Sequence, residues 1–95
     1  MTRTPDLQTF ARAVHQEFSL SLGASNMTLT LVEAAPLPHG GGMRQPFSLI
    51  FRAASMLVLP QKLYPLSNAT LGSLSIFLVP IGKDAAGVLY QAVFN

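Results

Sequence analysis

Two nearly uncharged apolar runs constrain the fold of this chain more than any other feature. Residues 73–80 alternate polar and apolar side chains at first and then become apolar on both faces, and residues 47–51 have the same character. Strands of this kind lie in the middle of a sheet, with both faces covered. Within the first run, Ile76 and Leu78 are expected in the core, whereas Phe77 and Val79 point to the opposite face.

The remaining sequence predicts a mainly β domain that spans residues 1–95 as a single unit. A helix start signal at Thr4, Pro5 and Asp6 precedes an apolar stripe at helical spacing and predicts one short N-terminal helix. The stripe consists of Leu7, Phe10, Ala11 and Val14. We predict six strands, at residues 17–22, 27–34, 47–53, 61–66, 73–80 and 88–94. The fold class is an antiparallel barrel or sandwich of about six strands.

The connections between the predicted strands carry clear turn signals. Residues 36–46 contain three prolines and three consecutive glycines, so we expect a loop there that is mobile over residues 38–45. Residues 54–60 are compatible with either a helical turn or an irregular crossing. Residues 81–87 hold two glycines and an aspartate and read as a loop. Pro65 lies within the fourth strand and favours an edge position for it.

Charge is scarce in this chain. The sequence is 49% hydrophobic and 11% charged, with a net charge of +2, whereas an average domain is about 25% charged. Its six Lys and Arg residues are scattered rather than clustered, which argues against nucleic acid as a partner. No apolar stretch is long enough for a membrane span. The N-terminus has no apolar core like that of a signal peptide, so we expect synthesis in the cytoplasm without Sec export.

The sequence offers no convincing catalytic or cofactor site. Its four carboxylates are far apart in sequence, and the two histidines, His15 and His39, lack a third metal ligand. There is no cysteine and no nucleophile elbow. Tyr64 and Tyr90 are expected at the margin of the core, with their hydroxyl groups at the surface. We therefore predict a protein that is not an enzyme and that has no cofactor and no metal.

Several segments resemble a bacterial family of small uncharacterised domains. The resemblance is carried by the runs Phe-Ser-Leu-Ile-Phe-Arg at residues 47–52, Phe-Leu-Val-Pro-Ile-Gly at 77–82 and Val-Phe-Asn at 93–95. Lys62 and Leu63 depart from the Gly-Thr that family members tend to have after the Pro-Gln pair. Genes of this family often lie beside genes for proteins similar to phage tail-collar proteins. The resemblance implies no activity, and it implies a place in a phage-tail-like assembly through gene neighbourhood alone.

These observations lead to a functional expectation. A single sheet packed on one core would leave Ile50, Phe77 and Val79 exposed together on its second face, and such a patch usually marks a contact. We therefore predict a non-catalytic structural subunit of a phage-tail-like or filamentous assembly. It would be oligomeric and would pack through an outer sheet face or edge against itself or another protein subunit. The alternative is a small β-barrel that binds an apolar ligand.

Overall fold

The computed structural model describes residues 5–38 and 45–95, so most of the loop predicted to be mobile lies outside the described residues. One short helix precedes six strands, and this confirms the predicted mainly β class. The elements are α1 (Leu7–Ala11), β1 (Glu17–Ser21), β2 (Asn26–Pro36), β3 (Phe47–Ala53), β4 (Lys62–Asn68), β5 (Gly72–Asp84) and β6 (Gly87–Phe94).

The six antiparallel strands pair into a closed ring in the order β1-β2-β3-β6-β5-β4. The pairing of β1 with β4 closes this ring through two residue pairs, Ser19 with Ser67 and Leu20 with Leu66. By contrast, β3 pairs with β6 over seven positions, from Phe47 opposite Phe94 to Ala53 opposite Val88. The two predicted central strands, β3 and β5, each lie between two neighbours in the ring.

Two long strands, β2 and β5, each pair mainly with one neighbouring strand in their first part and with another in their second part. β2 pairs first with β1 and then with β3, with a register shift between Leu31 and Glu33. β5 pairs first with β4 and then with β6, with a shift between Pro80 and Gly82. The loop predicted from residue 81 onward is therefore wrong, because β5 continues past this bulge to Asp84.

The inner face of the ring is filled by apolar side chains from all six strands. Phe18 and Phe51 meet edge to face at 5.2 Å between ring centroids. Ile76 and Leu78 of β5 are buried, as the sequence predicts, and so are alternate residues of β6. Those residues of β6 are Val88, Tyr90 and Ala92.

Helix α1 covers one end of the ring. Asp6 caps it by accepting a hydrogen bond from the Thr9 amide at 2.9 Å. The Phe10 ring packs against the stacked rings of Phe47 and Phe94, at 5.9 and 5.6 Å between centroids. The helix is shorter than expected, and Ala11 is exposed, because the chain leaves the helix at Arg12 and the following turn buries Ala13 instead.

The segment between β3 and β4 covers the opposite end of the ring. It is an irregular crossing in which Leu59 is buried. The hydroxyl group of the fully buried Tyr90 accepts a hydrogen bond from the Leu59 amide at 3.0 Å. Tyr64 donates a hydrogen bond from its hydroxyl group to the Pro60 carbonyl at 2.6 Å. The two tyrosine hydroxyl groups therefore hold the crossing, and the surface position predicted for the Tyr90 hydroxyl is wrong.

Candidate interaction surface

Five apolar side chains on the outside of the ring form the candidate site, which we call the outer apolar face. Phe77 is 50% exposed, Leu63 55% and Val93 51%, and all three lie on consecutive strands of the ring. Val79 and Ile50 are half-buried. Because Phe77, Leu63 and Val93 are each at least half exposed, neither α1 nor the crossing covers them.

Strand register brings these residues together. Leu63 of β4 lies opposite Phe77 of β5. Val79 lies opposite Gln91 of β6, and Gln91 in turn lies opposite Ile50 of β3. Directly opposed side chains in antiparallel strands have Cβ atoms about 4.5–5.5 Å apart. The three residues predicted from the sequence, Ile50, Phe77 and Val79, therefore share one surface.

Val93 extends the same surface along β6. It lies two residues beyond Gln91, so its side chain points to the same side of the strand. On β3 its partner is Ser48, and the β5–β6 ladder ends nearby at the pair of Val79 with Gln91. The outer apolar face thus spans β4, β5, β6 and β3, with Gln91 as a polar member between apolar neighbours.

An ion pair lies beside this face on the same outer surface. The Arg52 guanidinium group donates a hydrogen bond to a carboxylate oxygen of Asp84 at 2.9 Å. This hydrogen bond, together with one from the Ala86 amide, lowers the pKa of Asp84 below its ordinary value. Both side chains remain about one-third or more exposed, so the pair contributes little to stability and serves as a polar margin of the apolar surface.

A polar cleft lies elsewhere, along the short pairing of β1 with β4. It has a volume of about 340 Å³ and is lined by Glu17, Phe18, Ser19, Thr28, Ser67, Asn68 and Ala69. The Asn68 amide group donates to the Gln16 side chain and the Glu17 carbonyl, and it accepts from the Thr70 and Leu71 amides. Its hydrogen-bonding capacity is used within the chain, so Asn68 holds the end of β4 in place rather than offering a free group to a ligand.

The described parts of the chain, residues 5–38 and 45–95, contain no cluster of three His, Cys, Asp or Glu side chains that could hold a metal ion. Within the same residues, no helix has both the length and the apolar character needed to cross a membrane.

A family model described as a domain of unknown function (DUF6916) matches residues 5–94. The chain belongs to this family. No curated protein and no solved structure matches it. The match confirms the expected membership of a family of uncharacterised domains. The DUF6916 domain of this chain therefore comprises the whole ring together with α1.

Sequence reasoning missed two members of the outer apolar face of this DUF6916 domain. Leu63 lies in the fourth predicted strand, for which Pro65 favours an edge position, and the sequence alone assigns no role to Val93. Both are found once the order of strands is known, because β6 lies between β3 and β5. The local signal, an apolar residue at an outward position of a strand, is present in the sequence at both sites.

Proposed function

We propose that this domain is a non-catalytic structural subunit that packs against further copies of itself through its outer apolar face. The observation that carries the proposal is the set of half-exposed apolar side chains that strand register gathers around Phe77. A contiguous apolar patch of several hundred Å² is uncommon on a monomer and usually marks an interaction site. The resemblance to domains encoded beside tail-collar-like proteins makes a phage-tail-like or filamentous assembly the setting we propose.

We take the ring to be a small barrel, since β2 and β5 each continue round a bulge from one neighbour to the next. A barrel that binds an apolar ligand would need room inside. The inner positions instead carry large, fully buried side chains such as Phe18, Phe51 and Tyr90. This packing supports a subunit that acts through its outside rather than through a cavity.

Sedimentation velocity of the purified chain from micromolar to near-millimolar concentration tests the proposal. We expect reversible self-association, which Phe77→Lys weakens at least about tenfold because it places a charge in the apolar contact. Thr28→Lys is the matched control, since it adds the same charge to an exposed outward position on the β1–β2 hairpin. A wild-type chain that stays monomeric throughout, or an equal effect of both variants, would contradict the proposal.

A further inference from the structure

One stretch of β5 has a strand neighbour on one side and not on the other. Residues 72–78 pair with β4 along their whole length. Pairing with β6 begins at Val79, and among the described residues none pairs with the second side of residues 72–78. The last residues of β6, Ala92 to Phe94, pair with β3 but with no residue of β5. We call this second side of residues 72–78 the free edge of β5.

The backbone groups of Ser75 point toward this free edge. Pro65 has no amide hydrogen, yet the β4–β5 ladder runs without interruption through the pair of Pro65 with Ser75. An antiparallel ladder alternates hydrogen-bonded and non-hydrogen-bonded pairs, and proline fits the second kind. The amide and carbonyl groups of Ser75 therefore face away from β4, and by alternation so do those of Ser73 and Phe77.

The free edge of β5 lacks the features that protect other strand edges. Natural proteins protect an exposed edge with charged side chains, proline or a bulge. Residues 72–79 contain no charge and no proline, and the bulge of β5 comes later, at residue 81. The first four residues of β4 are likewise not paired with β1, but they include both Lys62 and Pro65. The sequence therefore protects the partly unpaired edge of β4, whereas the free edge of β5 remains able to pair with another strand.

We propose that the free edge of β5 pairs antiparallel with the same edge of a second copy of this chain, an inference that rests on the proposed assembly role. A two-fold axis near Ser75 would set the Ser75 residues of the two copies opposite each other and Ser73 opposite Phe77. Such a pairing brings no like charges together, because the segment has none. It also satisfies the outward amide and carbonyl groups of both strands and continues the sheet across two molecules.

The available area suits a small, reversible dimer. Seven residues of strand edge are about 24 Å long, and a strand of ordinary thickness offers roughly 240 Å² along that length. A half-exposed aromatic side chain such as Phe77 adds about 100 Å². Two copies together bury on the order of 700 Å², which is the size of a weak, transient contact rather than of a stable interface.

A charge-exchange experiment tests this pairing. Ser75→Lys and Ser75→Asp are each expected to raise the dimer dissociation constant at least about tenfold, because two like charges face each other at the axis. An equimolar mixture of the two variants should recover dimers close to wild-type affinity. Ser67→Lys is the matched control, because Ser67 is an exposed outward serine of β4 that lies opposite Ser73 and away from the free edge.

The variant Ile50→Lys distinguishes pairing through the free edge of β5 from packing through the outer apolar face. Ile50 belongs to the outer apolar face but lies on β3, two strands away from β5 in the ring. If dimers form through the free edge, Ile50→Lys leaves the dissociation constant nearly unchanged. If Ile50→Lys disrupts association while the two Ser75 variants and their mixture behave like wild type, the edge pairing is wrong and packing through the face stands. A wild-type chain that is monomeric at all concentrations overturns both.

Discussion

At the scale of single residues, two tyrosine hydroxyl groups attach the crossing between β3 and β4 to the end of the ring. The Tyr90 hydroxyl accepts from the Leu59 amide inside the protein, whereas Tyr64 donates to the carbonyl of the exposed Pro60. Burial raises the pKa of Tyr64 above its ordinary value, because the charged phenolate is disfavoured there. Removal of the Tyr90 hydroxyl group leaves the buried Leu59 amide without an acceptor, whereas removal of the Tyr64 hydroxyl group leaves a carbonyl that water can reach.

Tyr90→Phe should lower the free energy of unfolding by about 1–3 kcal/mol, because it leaves the buried Leu59 amide without an acceptor. Tyr64→Phe is the matched control and should cost less, since water can reach the Pro60 carbonyl. Urea titration followed by circular dichroism measures both changes. Equal losses in the two variants would show that the Leu59 amide finds another partner.

At the scale of elements, local sequence predicts the type of each element better than its extent. The period of two residues correctly assigns Ile76 and Leu78 to the inner face of β5, because burial on one face imposes that period. It fails at residue 81, where Pro80 and Gly82 resemble the end of a strand. A bulge inserts one residue and shifts the alternation, so the second half of β5 is recognised only from its pairing with β6.

The residues of the outer apolar face also divide into those that local sequence predicts and those that depend on the order of the strands. Ile50, Phe77 and Val79 could be predicted because each is an apolar residue on the outward side of a strongly apolar strand. Leu63 and Val93 could not be added to them from the sequence. Their place depends on which strands are neighbours, and β6 reaches its position between β3 and β5 through contacts that are distant in sequence.

The turn between β5 and β6 depends on one glycine. Gly87 has φ of 143°, and a Cβ atom there would lie 1.7 Å from the Ala53 carbonyl oxygen. Gly87→Ala should therefore lower the free energy of unfolding by at least about 2 kcal/mol, through backbone strain and the steric clash together.

Gly82→Ala is the control for this prediction, because a Cβ atom at residue 82 would meet nothing within 4 Å. Its expected change lies within about 0.5 kcal/mol. Thermal unfolding of both variants decides the comparison. A Gly87→Ala protein as stable as wild type would mean that the end of β3 can move away from the turn at little cost.

At the scale of the whole molecule, the closed ring makes the core one cooperative unit. Each strand is bonded to two neighbours, and the buried side chains of all six strands form one cluster that includes Phe10 of the helix. A domain of this size has a total stability of roughly 5–14 kcal/mol. Loss of one buried side chain should therefore lower the stability of every strand together, in a single transition.

Leu78 and Phe77 test this expectation from adjacent positions of β5. Leu78 is fully buried, and Phe77 is half-exposed on the opposite face. Leu78→Ala should cost about 2–5 kcal/mol, because it removes buried methyl groups and leaves a cavity. Phe77→Ala, measured at a concentration where the chain is monomeric, should cost less than about 1 kcal/mol.

Tyrosine fluorescence and circular dichroism should report the same denaturant midpoint for each variant. Separate midpoints would show that the ring opens in parts, and equal costs would show that β5 faces the core differently from the arrangement described above.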